Sequence, residues 1–207
     1  MQRFSKSITT PFLYAAIVIP LDTSSWKHID FGKIKKNEVT FNKNITFNVD
    51  NSSSFLIHNL KSPQIIKSIT VEIDVSKTLD IEADSDDYPF KLGLVIEGDK
   101  NLSGMKKFFA PKWIKDVYKF AGNNKGLDHI EMFIATFNKD LQGKKREHQK
   151  SDLFIENFVF SLKNKGIQRF TYKLDSPIKA TALWLSADGD GSNAKFTTTI
   201  KSITFNQ

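Results

Sequence analysis

The residues best suited to chemistry in this sequence are carboxylates that fall close together in one segment. Five of them occupy eight consecutive positions, with no lysine or arginine between them: Asp80, Glu82, Asp84, Asp86 and Asp87. Several carboxylate oxygens on one loop can hold Ca²⁺, which takes about six to eight oxygen ligands. We therefore expect any metal to bind at Asp84, Asp86 and Asp87, and no other cofactor is indicated. The alternative is a solvated turn, because aspartate is common in turns and disfavoured in strands.

A second oxygen-rich turn lies near the carboxyl end of the chain. Asp188 and Asp190 are each followed by glycine, and Ser192 and Asn193 come next. This order resembles the beginning of a calcium-binding loop, but no glutamate follows where such a loop needs its bidentate ligand. The turn is a weaker candidate for a cation, with the same alternative of a solvated turn.

Aromatic side chains are the other candidates for ligand contact, because the C–H faces of sugar rings pack against flat aromatic surfaces. We select Trp113 and Tyr118 as ligand-binding residues, since they lie beside a proposed loop or helix rather than inside a strand. Trp184 lies in an alternating apolar segment and is predicted to be in the core. Core packing is also the alternative for Trp113 and Tyr118, because aromatic residues supply much of the buried area of proteins.

Several classes of catalytic or metal centre are not supported by the sequence. The four histidines are isolated, so none forms the closely spaced pair that zinc sites use: His28, His58, His129 and His148. The chain has no cysteine, which excludes disulfides, thiol catalysis and cysteine metal ligands. No nucleophile elbow, phosphate-binding loop or dinucleotide fingerprint is present. We therefore assign no catalytic residue.

The chain is basic, with 30 lysines and arginines against 23 acidic residues and a formal net charge of +7. Such a charge favours acidic partners, including nucleic acid, anionic glycans and lipid surfaces. The densest basic segment, Lys144 to Arg146, has acidic neighbours and no interleaved aromatic residue for base stacking. Arginine, which reads phosphate and guanine through paired hydrogen bonds, is scarce. We interpret residues 139–150 as a long exposed loop and do not expect nucleic-acid binding.

The elements that must position these residues are β-strands, because apolar and polar residues alternate along most of the chain. The segment from Ile69 to Val75 alternates strictly, and similar segments are bounded by Asn, Asp, Gly and Ser. At least eight such segments predict an all-β protein, an antiparallel jelly-roll β-sandwich in a single domain. At most one short helix is expected, between Met105 and Phe120. Four residues are expected inside the sandwich: Val71, Ile73, Leu94 and Trp184.

Residues 1–25 fit either a signal peptide or an N-terminal strand. A basic head precedes an apolar run, Phe12 to Leu21, and small polar residues follow it. This order is typical of a secretory signal, and it predicts residues 26–207 as a β-sandwich domain that is periplasmic or secreted. Pro11 and Pro20 bracket the run and favour the strand, which leaves a cytoplasmic location open. No apolar run reaches the length of a membrane-spanning helix.

Read in order, several short segments resemble a bacterial family known as domain of unknown function number 3047. The matching segments are Trp26 with Phe31, residues 52–56, residues 86–94, Tyr118 to Gly122, residues 182–190 and residues 200–205. Lys91 and Phe120 depart from the family, which usually has arginine and tryptophan there. The resemblance implies a jelly-roll sandwich of the galactose-binding type, often preceded by a signal peptide. It implies no catalytic residue, because the family has none established.

We expect a non-catalytic protein that binds a carbohydrate or another polyanionic ligand. One alternative is a jelly-roll polysaccharide lyase, because Tyr118 to Gly122 is similar to the Tyr-Phe-Lys-Ala-Gly motif of alginate lyases with two residues transposed. Such lyases also need arginine for charge neutralisation and a histidine base on one sheet face. No arginine lies between Arg3 and Arg146. A structural or assembly protein is a third alternative, and it would show a large apolar patch.

Overall fold

The computed structural model describes residues 16–79, 87–99, 110–121, 126–148 and 151–207. The strands in these ranges are β1 (Ala16–Val18), β2 (Lys27–Asp30), β3 (Glu38–Phe41), β4 (Ile45–Asp50), β5 (Ser53–Val75), β6 (Phe90–Gly98), β7 (Gly126–Thr136), β8 (Lys145–His148), β9 (Ser151–Ser161), β10 (Gly166–Asp188) and β11 (Lys195–Asn206). One α-helix, α1 (Lys112–Ala121), lies between β6 and β7, and a single 3-10 turn, Thr23–Ser25, precedes β2. The prediction of an all-β protein with at most one short helix is confirmed.

The described strands form one continuous hydrogen-bonded sheet. Their order is β3-β4-β11-β5-β10-β6-β7-β9-β8, with β1 paired to β11 and β2 paired to β5. Neighbours are antiparallel except β7 and β9, which run parallel. The exception arises because β8 reverses the chain after β7, and β9 reverses it again and enters between β7 and β8.

The two longest strands, β5 and β10, pass through both halves of the sheet and are irregular in the middle. Residues 60–63 and 174–177 have no partner in the β5–β10 register, and each of these segments contains a proline, Pro63 or Pro177. Proline has no N–H to donate to a ladder, so within sheets it favours bulges and strand edges. Irregularities of this kind let one strand pass from one layer of a sandwich to the other.

Ring contacts show that the two halves of the sheet pack on each other. Tyr172 of β10 lies against Phe133 of β7, with ring centroids 5.8 Å apart, and Phe170 lies against Phe160 of β9 at 5.5 Å. The first half of β10 is not hydrogen-bonded to either strand, so these contacts join two layers. All four residues expected inside are buried: Val71, Ile73, Leu94 and Trp184. The predicted β-sandwich is confirmed, built from a single bent sheet.

Helix α1 begins after Pro111 and packs against β2, β5, β6, β7 and β10. Val117 is fully buried, and Asp116 lies 3.6 Å from Lys27 Nζ of β2 and 2.7 Å from Lys112 Nζ one turn earlier. Of the two alternatives for this segment, a loop or a helix, the structure shows the helix, on which Trp113 and Val117 are spaced four residues apart. The helix crosses one face of the sheet.

The chain after residue 15 enters the sandwich as a strand. β1 pairs with β11, with Ile17 opposite Phe205. Ile19 is buried, and Trp26 Nε1 donates to the Pro20 carbonyl oxygen at 2.7 Å. Residues 1–15 lie outside the described residues, and removal of residues 1–25 stays a prediction; it would delete β1. Among the described helices, none is long and apolar enough to cross a membrane.

The interpretation of residues 139–150 as a loop is wrong in one part, because residues 145–148 form the edge strand β8. Charge explains the difference. Lys145 Nζ lies 2.7 Å from Glu131 Oε1, and Arg146 Nε lies 2.7 Å from Glu156 Oε2. Glu131 and Glu156 are buried acids on β7 and β9, so this basic segment pairs with buried carboxylates of neighbouring strands.

Candidate functional site

Alternation along neighbouring strands places one set of side chains on the face that α1 crosses. In antiparallel strands, directly opposed residues share a face. Asp188 of β10 is opposite Ser53 of β5, and Ser186 of β10 is opposite Lys91 of β6. Trp184, two residues before Ser186, lies on the same face. These residues line a cleft of about 370 Å³, a volume within the range of small-molecule sites.

One end of the cleft is aromatic. Trp113, at the start of α1, stacks on Phe154 of β9 with ring centroids 6.1 Å apart, and it meets Trp184 edge-on at 6.4 Å. Trp184 stacks on Phe55 at 3.5 Å, and its Nε1 donates to Ser186 Oγ at 2.9 Å. Trp184 is only 2% exposed and forms a fixed floor. Trp113 is partly exposed, so a ligand can reach its ring.

The loop between β2 and β3 supplies another wall of the cleft. Phe31 of this loop meets Trp113 edge-on, with ring centroids 5.5 Å apart. Asn37 fastens the end of the loop to the sheet, because its Nδ2 donates to the Ala187 carbonyl oxygen at 2.8 Å and its Oδ1 accepts from Ser52 Oγ at 2.6 Å. Asn37 is 3% exposed, and a buried, fully bonded amide of this kind holds the wall in place.

The other end of the cleft is acidic. Asp188 ends β10, Asp190 follows in the next turn, and Asp87 lies just before β6; one carboxylate oxygen from each lies within 4.8 Å of the others. The Asp87 carboxylate accepts hydrogen bonds from the backbone N–H groups of Gly191, at 3.2 Å, and Ser192. These hydrogen bonds hold the turn after β10 against the Asp87 side chain.

The electrostatics of this end are dominated by negative charge. Burial, together with a hydrogen bond and charge from Asp188 and the charge of Asp87, raises the pKa of Asp190 to about 7. Lys91 Nζ lies 3.2 Å from Asp188 Oδ2, and Lys91 is itself buried. Another acid of the cleft, Glu156, is 2% exposed and forms a salt bridge with the guanidinium of Arg146. The arrangement offers acceptor oxygens to hydroxyl groups, and its three close carboxylates suit a hard cation.

The structure separates the site residues predicted from sequence. Trp113 lines the cleft, whereas Tyr118 lies further along α1 against the core and is not among the lining residues. Asp84 and Asp86 lie outside the described residues. Asp87 is described, and it meets the second acidic turn, which the sequence placed as a separate candidate.

Two functional residues were missed by sequence reasoning. Lys91 and Glu156 both lie in alternating strand segments, where a single polar residue resembles any solvent-facing position. Their burial, at 7% and 2% exposed, depends on strands that are distant in sequence. Trp184 was predicted as a core residue, and it is both buried and the floor of the cleft.

The described residues that line the cleft match the needs of a polysaccharide lyase only in part, because they include a histidine, His148, but no arginine. Charge neutralisation in such enzymes uses arginine, but the basic groups among the described lining residues are Lys91 and His148. Tyr118, the first residue of the lyase-like motif, does not reach the cleft lining. Gly122, its last residue, lies outside the described residues.

No family model matches the sequence, and no curated protein matches it either. Solved structures with a similar arrangement of strands include a xylan-binding module, CBM15, with 12% identity, a TM-score of 0.42, and coverage of 93% of this chain and 96% of that chain. A carbohydrate-binding module of family 29 has 8% identity, a TM-score of 0.38, and coverage of 93% and 88%. Winged bean acidic lectin, solved with methyl-α-D-galactose, has 12% identity, a TM-score of 0.46, and coverage of 93% and 97%. At these identities the likeness concerns the fold.

Proposed function

We propose that this protein binds a neutral carbohydrate in the cleft between Trp113 and Asp188, without catalysing a reaction on it. The observation that carries the proposal is a partly exposed tryptophan and half-buried acceptor carboxylates facing one cleft of about 370 Å³. A sugar ring has an apolar C–H face and hydroxyl donors at its rim. The aromatic end of the cleft matches that face, and the acidic end accepts hydrogen bonds from those hydroxyl groups.

The charge of the cleft favours an uncharged ligand over a polyanion. Asp188, Asp190 and Glu156 line it, and Lys91 is the one lysine among its described lining residues. An anionic glycan would place its carboxylate or sulfate groups close to these acids, where like charges repel strongly in a partly buried site. The formal charge of +7 belongs mainly to lysines elsewhere on the protein and does not describe this cleft.

The walls of the cleft support a preformed site. Trp184 is held by Phe55 and Ser186, and the loop carrying Phe31 is held by Asn37. A site that is already ordered loses less conformational entropy when a ligand binds. We also propose that the protein acts in the periplasm or outside the cell, since its opening segment has the layout of a secretory signal.

The test is isothermal titration calorimetry with a panel of neutral oligosaccharides built from xylose, glucose, mannose or galactose, with alginate and heparin as polyanions. Trp113→Ala removes the exposed ring and should weaken binding of the preferred oligosaccharide by about tenfold or more, the factor that corresponds to about 1.4 kcal/mol of stacking. Phe120→Ala is the matched control. It lies on the same helix, but its ring faces Lys27 at 4.4 Å and should leave the affinity unchanged.

Two results would refute the proposal. One is the absence of binding to every neutral oligosaccharide, or binding to the polyanions alone. The other is equal affinity in the wild type and Trp113→Ala, because the ring in the cleft would then contribute nothing. A third variant, Tyr118→Ala, tests the sequence-based assignment of Tyr118, and retained affinity is expected because that side chain does not line the cleft.

A further inference from the structure

Two acidic turns that are about a hundred residues apart in sequence come together at the end of the cleft. Asp87, Asp188 and Asp190 each present a carboxylate oxygen, and the three oxygens lie within 4.8 Å of one another. Asp87 is 1% exposed. The approach of the second turn is close, because a Cβ added at Gly191 would lie 3.3 Å from Asp87 Oδ1. The backbone therefore places the turn directly against the Asp87 carboxylate.

Lys91 brings positive charge to this point. Lys91 Nζ lies 3.2 Å from Asp188 Oδ2, and its ammonium group also lies 5.3 Å from the Tyr88 ring. Its ion pair with Asp188 joins one ammonium group to one of the three carboxylates. Like charges held this close in a partly buried site raise the free energy of the folded protein unless a further positive charge joins them.

An independent observation is a pair of buried oxygen atoms without hydrogen-bond partners among the described residues. They are Asp188 Oδ1 and Ser53 Oγ. Ser53 is 1% exposed, lines the same cleft as Asp188 and Asp190, and is opposite Asp188 in the β5–β10 pair. Both side chains therefore lie on one face and point into the same space. Buried polar atoms in proteins are almost always satisfied, so two orphaned oxygens side by side indicate a bound group that accepts lone pairs.

We propose that a divalent metal ion, calcium by its ligand chemistry, binds between Asp87, Asp188 and Asp190 at the acidic end of the cleft. The ligands are carboxylate oxygens, which hard cations prefer, and a calcium ion tolerates an irregular arrangement of them. Magnesium requires near-ideal octahedral geometry, which two turns converging from separate strands do not readily provide. Ser53 Oγ then hydrogen-bonds to a water molecule on the ion. The metal site does not depend on carbohydrate binding.

The experiment uses the chelator-treated full-length protein and measures binding of CaCl₂ or MgCl₂ alone by calorimetry, with thermal melting as the second readout. Calcium should bind more tightly than magnesium and raise the melting temperature. Asp190→Asn should raise the calcium Kd by about tenfold or more, and it should melt at or above the wild-type temperature in chelator, because one repelling charge is gone. Asp140→Asn changes an exposed aspartate in a turn that does not line the cleft and is the matched control.

Ser53→Ala provides a variant that keeps every charge in place. It should weaken calcium binding by a smaller factor than Asp190→Asn while the protein remains folded. Equal melting temperatures of the wild type in calcium and in chelator would overturn the proposal, as would equal calcium affinity in Asp190→Asn and Asp140→Asn. Tighter binding of magnesium would overturn the assignment to calcium. Failure of the carbohydrate titrations alone leaves all of these results unchanged, so the two proposals fail separately.

Discussion

A buried network around Glu131 of β7 should control how stability depends on pH. His129 lies between two carboxylates, with Nδ1 2.9 Å from Asp128 Oδ2 and Nε2 3.0 Å from Glu131 Oε2. A neutral imidazole has one N–H donor, so two carboxylate neighbours favour the imidazolium form. Glu131 Oε1 also accepts hydrogen bonds from Lys145 Nζ at 2.7 Å and Asn157 Nδ2 at 2.9 Å.

The size of this contribution to the free energy of unfolding follows from the pKa of Glu131. Burial raises this pKa, but hydrogen bonds from His129, Lys145 and Asn157 outweigh burial and lower it from 4.5 to about 2. The ionised carboxylate therefore stabilises the folded state above pH 4.5, and this stabilisation is lost as the pH falls toward 2. At about 1.4 kcal/mol per pKa unit, it amounts to at most about 3 kcal/mol. The Glu131 side chain is 9% exposed, so solvent screening removes little of it.

His129 contributes at the other end of the pH range. The hydrogen bond to Glu131 is the largest cause that raises the pKa of His129 above 6.5, burial opposes it, and Asp128 adds to it. A raised histidine pKa stabilises the folded protein below the unfolded value, and this contribution is lost as the pH rises through the folded value. The cost of Glu131→Gln should therefore be greatest between about pH 4.5 and 6.5, where both groups are charged.

The assay is urea unfolding of the wild type and Glu131→Gln between pH 2 and 8, with the His129 pKa followed by NMR. Glu131→Gln should lower the free energy of unfolding by about 2–3 kcal/mol near pH 5.5. It should also make that free energy depend less on pH between about 4.5 and 2 and lower the pKa of His129. Asp128→Asn is the control, since Asp128 is 48% exposed, and its change should stay within about 1 kcal/mol. A constant difference between wild type and Glu131→Gln across the acid limb would refute the reasoning.

Two further predictions concern Gly93, beneath the floor of the cleft, and His28 on strand β2. Gly93→Ala would place a Cβ 2.8 Å from Met132 Sδ and 2.9 Å from Trp184 Cβ. We therefore expect overpacking to lower the free energy of unfolding by about 1–3 kcal/mol and to weaken oligosaccharide binding. An unchanged melting temperature would contradict this prediction. His28 accepts a hydrogen bond from Ser54 Oγ at 2.8 Å as a neutral ring, and burial lowers its pKa to about 4. Its share of stability should therefore be lost as the pH falls from about 6.5 to 4, and an NMR titration midpoint near 6.5 would show that the ring is not buried as described.

The fold class can be predicted from the sequence because its signal is local. The alternation from Ile69 to Val75 involves only neighbouring residues, and it correctly predicts that the four apolar side chains are buried, although Thr70 between them is buried as well. The spacing of Trp113 and Val117 likewise indicates a helix, although a loop fits the same segment. Local pattern states which face of an element is apolar, since the geometry of a strand or helix fixes the period.

Which elements lie side by side cannot be predicted from local sequence and depends on how the whole chain packs. Asp87 and Asp188 belong to different turns in the sequence, and no local pattern states that the end of β10 meets the residue before β6. Tertiary pairing also turned Lys145 to His148 into an edge strand, placed β9 parallel to β7, and bent β5 and β10 near Pro63 and Pro177. Strand pairing is chosen by the packing of the whole chain, because every strand edge offers the same hydrogen-bonding groups to any partner. The chemistry of the cleft therefore emerges from contacts that sequence neighbours do not encode.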